Sequence, residues 1–331
     1  MTLPHLYFLF PRLDINSGGN IAQLKLLAIA QSITSAAAVT YRQREADIPF
    51  LDELLKKNPA EDTGVYVIHW GPDIRRLLTK LKNRRVVYVA HSSGYGFTLP
   101  PKVPIIAVSK HTQAYWGRHA PNSLIFYLPN EISPEYQNRH QDRPIDVLVQ
   151  KRKSSKYLLE KLVPALKPHC NLVLIDSWVE DLASLFNQTK VYLYDSSEYW
   201  WQTGLTEGFG LPPLEAMACG CTVFSSINDA LSDYLDPGFN CQKLRVYSLE
   251  YDVHRILNAV KNWQLRDNTE LLRRYRREAI EDRLKTILEQ IDFFFNYQKI
   301  VEKSNIPSLS GGLVERMIGR IKKKIGGVVK R

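Results

Sequence analysis

Cysteine is scarce and poorly spaced for chemistry. The 331 residues hold four, Cys170, Cys219, Cys221 and Cys241, with no C-x-x-C pair and no zinc-ligand spacing. A disulfide framework and a structural zinc site are therefore unsupported, and packed thiols in a reducing, cytoplasmic compartment are expected. No apolar run approaches the roughly 20 residues that a membrane-spanning helix needs. Residues 1–15 contain Pro4, His5, Pro11, Arg12 and Asp14, and so lack the basic start and continuous apolar stretch of a secretory leader. Also missing are a G-x-x-x-x-G-K-[ST] phosphate loop, an H-E-x-x-H helix, a G-x-S-x-G elbow and any D-x-D. Gly94-Tyr95-Gly96 lacks the third glycine of a dinucleotide fingerprint and opens no helical pattern. These absences leave P-loop hydrolysis, zinc proteolysis, serine hydrolysis and a metal held between paired carboxylates without support.

What is present is an ordinary globular composition, 44% hydrophobic and 24% charged. The formal net charge is +10, but residues 313–331 carry seven basic side chains against Glu315 alone. The rest of the chain is close to balanced, so nucleic acid is not an expected partner. Short apolar runs alternate with helical patterns along most of the chain. Strands are predicted at Leu6–Phe10, Ala37–Tyr41, Val65–Ile68, Arg85–Ala90, Ile105–Val108, Leu124–Tyr127, Asp146–Val149, Leu172–Ile175, Val191–Tyr194 and Thr222–Ser225. Helices are predicted between several of them, at Asn20–Gln31, Pro72–Leu81, His111–His119, Ser154–Leu166, Val179–Phe186, Pro212–Ala218 and Tyr251–Trp263, with helical pattern again from Leu271 to Val301. This rhythm means βαβ units and parallel sheets, here an α/β protein of two doubly wound Rossmann-like domains facing a cleft. The polar segment Ser133–Pro144 reads as the linker, which divides the chain at 1–141, 142–303 and a tail at 304–331. Ligands of such sheets bind at the carboxyl ends of the strands.

The segment Thr206-Glu207-Gly208-Phe209-Gly210-Leu211-Pro212-Pro213-Leu214-Glu215-Ala216-Met217-Ala218 is the most specific in the chain. Proline in the first helical turn costs no hydrogen bond. Gly208 and Gly210 let a ligand approach the main chain, and the unpaired N–H groups at the helix start attract anions. Glu207 and Glu215 stand at the two ends of this junction.

This segment resembles the donor-site signature of retaining glycosyltransferases of family 4, which have the GT-B architecture. Other parts fall in the same order. Asn16-Ser17-Gly18-Gly19-Asn20 resembles the family's glycine-rich loop near the donor phosphates, and His91 its active-site histidine at the donor sugar. Ile106–Lys110 and Leu128-Pro129-Asn130 resemble later strand ends, although Glu131 replaces the usual glycine. Lys151-Arg152-Lys153-Ser154-Ser155-Lys156 resembles the basic pair placed on the donor diphosphate, for which Arg152 and Lys156 are the expected members. A second departure is Glu198–Thr206, read as a loop with three adjacent aromatics, Tyr199, Trp200 and Trp201.

The resemblance implies an enzyme that moves a sugar from a nucleotide-sugar donor to a glycan or lipid-linked acceptor, with retention and without a metal or other cofactor. It casts His91, Glu207, Arg152 and Lys156 as catalytic and Gly18, Gly19, Gly208, Phe209, Gly210, Leu211 and Glu215 as donor-binding. A sugar-nucleotide epimerase and a non-catalytic binding module of the same fold are the alternatives. Val314, Met317, Ile318, Ile321, Ile325 and Val328 form an apolar stripe among basic residues, so residues 313–331 are expected to form an amphipathic helix for an anionic membrane face, behind a joint at Ser304–Gly312.

Overall fold

The computed structural model describes residues 3–13, 18–69, 71–301 and 306. Asn16 and Ser17 of the glycine-rich loop, the joint apart from Ile306, and the expected amphipathic tail lie outside the described residues.

The first domain contains β1 (Leu6–Phe10), α1 (Gly18–Ile33), β2 (Ala36–Thr40), α2 (Leu51–Leu54), β3 (Val65–His69), α3 (Ile74–Lys80), β4 (Arg85–Ala90), β5 (Ile105–Ala107), α4 (Lys110–His119) and β6 (Ile125–Tyr127). Its sheet runs β2-β1-β3-β4-β5-β6, with every pairing parallel. β3 and the last five residues of β4 are buried on both faces, which is why they read as continuous apolar runs rather than as alternation. α4 starts where Ser109 Oγ accepts the Thr112 N–H at 3.0 Å.

The second domain contains β7 (Ile145–Gln150), a π-helical turn (Tyr157–Leu162) running into α5 (Val163–Leu166), β8 (Leu172–Ile175), α6 (Leu182–Asn187), β9 (Thr189–Tyr194), α7 (Ser197–Thr203), α8 (Leu211–Ala218), β10 (Thr222–Ser225), β11 (Cys241–Lys243), α9 (Leu249–Lys261), α10 (Thr269–Arg273) and α11 (Arg277–Gln298). Its sheet order is β11-β10-β9-β7-β8, again all parallel. The expectation of two Rossmann-like domains holds. The helix expected from Ser154 is widened into π geometry ahead of Pro164, which has no N–H to give and whose ring crowds the carbonyl four residues back. The expected aromatic loop is corrected: Ser197–Thr203 forms α7, stopped by Gly204 in the left-handed region at φ 67°. β11 and α2, at three and four residues, are too short to show a period.

The linker is fixed rather than loose. Arg143 donates to the carbonyls of Phe186 (3.1 Å), Thr189 (2.5 Å) and Cys219 (2.6 Å). α11 then returns to the first domain, where Arg283 Nε meets the Tyr127 carbonyl at 2.7 Å and Ser32 Oγ meets Glu281 at 2.9 Å. By chain order α11 follows the second domain, but by packing it covers α1 of the first. No described helix is long and apolar enough to cross a membrane.

Candidate active site

The carboxyl end of β9 and the turn into α8 present Glu207, which is buried. Its Oε2 accepts from Tyr194 Oη at 2.6 Å and Trp200 Nε1 at 2.8 Å, and Lys153 Nζ lies 4.0 Å from Oε1. The Glu207 main-chain N–H donates to Asp229 Oδ2 at 2.9 Å, so both the backbone and the side chain of this residue are fixed. Trp200 comes from α7, which makes one of the aromatics a buttress for the carboxylate. Its neighbour Trp201 is 84% exposed. Gly210, at φ 80°, admits no side chain: a Cβ there would lie 2.3 Å from Leu231 Cδ2. The Phe209 ring is buried against Tyr234 and Tyr275, so the side chain of this expected donor residue is core, and only its main chain is free to meet a ligand.

The basic segment after β7 is arranged otherwise than the sequence suggests. Arg152 and Lys156 are exposed. The residue that turns inward is Lys153, held in the left-handed region at φ 66° and lying 4.2 Å over the Trp200 ring. Burial lowers its pKa, Glu207 partly offsets this, and Arg152 adds to the lowering. Strain of this kind in a non-glycine residue collects at functional sites. Lys156 donates its main-chain N–H to Glu198 Oε2 at 3.0 Å, tying the start of the π turn to α7.

The first domain closes on this loop. Ser92 Oγ donates to the Thr206 carbonyl at 2.8 Å, the Ser93 N–H donates to Thr206 Oγ1 at 3.1 Å, and the Ser93 and Thr206 hydroxyls are 2.8 Å apart. Gly208 lies so close that a Cβ would sit 1.5 Å from the His91 carbonyl oxygen. A second bridge joins the Lys110 N–H to Asp233 Oδ2 at 2.5 Å, and His111 faces Asp229 at 3.7 Å. His91 Nε2 meets Gln23 Oε1 at 3.0 Å, and burial drives its pKa down to about 4. Gly18 and Gly19 open α1, and a Cβ on Gly19 would meet nothing within 4 Å.

Glu215 is buried in α8. Burial raises its pKa to about 7, with Lys25 of α1 partly opposing and Glu135 adding to the rise. Lys25 also lines a cavity of about 20 Å³ between the domains, with Leu211, Glu131 and Ile280. Glu131, the departure from the family's glycine, is buried, and its pKa too is raised by burial. The structure thus gathers Glu207, Lys153, Gly208 and His91 at one seam, puts Glu215 and Leu211 at its flank, and leaves Arg152 and Lys156 outward. Sequence reasoning missed Lys153, Trp200, Asp229 and Gln23. Lys153 was visible only as one of a basic run and Trp200 only as one of three adjacent aromatics; Asp229 and Gln23 carry no local signal. Among the described residues no three His, Cys, Asp or Glu side chains cluster as a metal site.

The family Glycosyl transferases group 1 matches residues 149–282. No curated protein sequence matches the chain. Among solved structures, a glycosyltransferase from Rickettsia africae ESF-5 is similar over 92% of this chain and 100% of its own, at 10% identity and TM-score 0.54. Anabaena Alr3699/HepE, solved with UDP and glucose, is similar over 90% of this chain and 98% of its own, at 14% identity and TM-score 0.54. Sucrose-phosphate synthase from Thermosynechococcus elongatus is similar over 91% and 100%, at 15% identity and TM-score 0.54. The two sheets therefore form a GT-B fold, and the second domain is a glycosyltransferase domain.

Proposed function

We propose that this glycosyltransferase takes its sugar from a nucleotide-activated donor and transfers it with retention of configuration, without a metal. The observation that carries this reading is the carboxylate of Glu207, buried at the domain seam, held by Tyr194 and Trp200 and faced by Lys153. A carboxylate so fixed is suited to a sugar carrying developing positive charge, and a desolvated ammonium beside it to the negative charge growing on a leaving diphosphate. Arg152 and Lys156 line the rim, where they attract the diphosphate and hand it inward. The N–H groups at the start of α8 add a partial positive charge on the same side. Glu215 would receive the ribose hydroxyls, which favour its ionised form and pull its pKa down from about 7. The acceptor proton passes to the donor's own β-phosphate oxygen as the glycosidic bond to phosphate breaks, so no enzymic base is needed.

The UDP in the Anabaena structure makes UDP-sugars the first donors to try, with GDP- and ADP-sugars beside them. A donor at 100 times its dissociation constant adds about 2.7 kcal/mol of stability, readily seen as a thermal shift. The stabilising donor is then incubated with glycan and lipid-linked acceptors in the presence of a chelator, and the product anomer is read by NMR. Retained configuration in a metal-free reaction is expected. An inverted product, a strict metal requirement, or an isomerised donor without transfer would overturn the reading. The basic, striped sequence 313–331 supports an acceptor at an anionic membrane face. Equal pelleting on anionic vesicles of the full chain and a chain ending at Ser310 would remove that part.

A further inference from the structure

The first-domain wall surrounds His91, which the resemblance puts at the donor sugar, with side chains that the transfer reading leaves without a role. β1, β3 and β4 are neighbours in the sheet, so their carboxyl ends bring Phe10, His69 and His91 together beneath Gln23 of α1. Phe10 is edge-on to His69 with ring centroids 5.4 Å apart, and His69 is edge-on to His91 at 5.6 Å. Gln23 Nε2, both ring nitrogens of His69 and His91 Nδ1 are buried with no hydrogen-bond partner among the described residues. The Leu9 carbonyl beside His69 favours its protonated form, but burial and His91 outweigh it. Buried polar atoms are nearly always satisfied, so Gln23 Nε2 and His91 Nδ1 mark a place that something else completes.

The one bond in the cluster fixes its chemistry. Gln23 Oε1 can only accept, so its 3.0 Å contact with His91 Nε2 is a hydrogen bond only when that nitrogen carries the proton. Burial is the sole influence on His91 and keeps the ring neutral at pH 7; burial and His91 do the same for His69. A neutral ring protonated on Nε2 has a lone pair on Nδ1. The cluster then offers an acceptor, His91 Nδ1, and a donor, Gln23 Nε2, with no net charge. A neutral acceptor such as His91 Nδ1 suits a hydroxyl group, whereas its lone pair would repel an anion.

We propose that Gln23 is a positioning residue that locks His91 in the Nε2–H tautomer, so that Nδ1 accepts from a sugar hydroxyl during transfer. The role in transfer rests on the function proposed above; the lock itself does not. Nitrogen-15 NMR of the imidazole rings in the full, ligand-free chain tests the lock. In the wild type, His91 should show one protonated and one bare nitrogen, Nε2–H, from pH 8 to pH 5. Gln23→Leu should release a mixture of tautomers, and Gln23→Glu should move the His91 pKa up towards neutrality. In transfer assays Gln23→Leu should lower kcat about tenfold, the effect of one misplaced hydrogen bond, with little change in KM for the donor. In Gln23→Glu the acid limb of the rate profile should move up with the His91 pKa, because an imidazolium has no lone pair to offer. An Nδ1–H tautomer in the wild type, or an unchanged tautomer in Gln23→Leu, would overturn the lock. Full kcat despite a released tautomer would overturn its role in transfer. A lock that holds in a chain with no transfer activity would instead sink the function and leave the lock standing.

Discussion

On the second domain, Glu207 has its carboxylate engaged by Tyr194, Trp200 and Lys153, whereas on the first domain His69 and His91 keep three ring nitrogens without partners. One wall of the cleft is charged and satisfied; the other is neutral and, among the described residues, unsatisfied. The difference follows from what each group costs to bury. An unpaired buried carboxylate is prohibitively expensive, so Glu207 must bring its own partners. A neutral imidazole or amide is cheaper to leave waiting, and its orphan atoms are then available to a substrate. The two walls meet at the Gly208–His91 contact, where there is no room to spare.

The largest expected effect attacks that meeting point. Gly208→Ala puts a methyl group where the His91 carbonyl oxygen stands, so the walls cannot close to their present spacing. A displacement near 1 Å in a reacting site costs roughly 10²-fold. We expect kcat/KM to fall at least that far while circular dichroism shows both domains folded; near-normal activity would mean that the seam seen here is not the reacting geometry.

The next tests the charged wall alone. Lys153→Ala should lower turnover by about 10², the lower end of what loss of one preorganised charge stabiliser costs, and Arg152→Ala by much less. Lys156→Ala should fall between them in steady-state assays. A greater loss at Lys156 than at Lys153 would return the diphosphate to the exposed cations.

Glu215 lets the cost of burial be read as stability. Its folded pKa of about 7 lies above the ordinary 4.5, so between these values the folded chain holds a proton that the unfolded chain has lost. Stability from this group is therefore present below pH 4.5 and is lost as pH rises through 7, on the order of 3 kcal/mol in all. Glu215→Gln should flatten that dependence and raise the melting temperature at pH 8 relative to wild type, with little change at pH 4.5. It should also weaken binding of the free nucleoside diphosphate if this side chain holds the ribose.

The smallest effect belongs to the hydrogen bonds across the seam. Thr206→Val removes the hydroxyl that meets Ser93, at about 1–2 kcal/mol for two neutral bonds, while the Ser92 bond to the Thr206 carbonyl survives. Denaturant unfolding should register that loss, and a donor KM that rises with it would show that closure and binding are coupled.

The alternation of apolar strands and helices was legible because a strand buried on both faces must be a short apolar run, and the crossover between parallel strands must be a helix. Arg85–Ala90 was read to the residue for that reason. The turn into α8 was legible too, since Gly210 and the two prolines serve local backbone needs that the sequence states directly. Lys153 and Arg152 differ by one place in an all-basic run, and only the left-handed turn at Lys153 decides which of them faces Glu207. Trp200 was read as loop because its helix is seven residues long and buries no face. Gln23, His69 and His91 lie 22 to 68 residues apart in the chain, and it is the order of β1, β3 and β4 in one sheet that makes them neighbours. The sequence by itself determined the two sheets and the donor-side turn, because those rest on local backbone preference and on burial repeated along a strand. Only the tertiary structure decided which cation, which aromatic and which amide complete the site, because pairing between distant side chains is set by how whole elements pack.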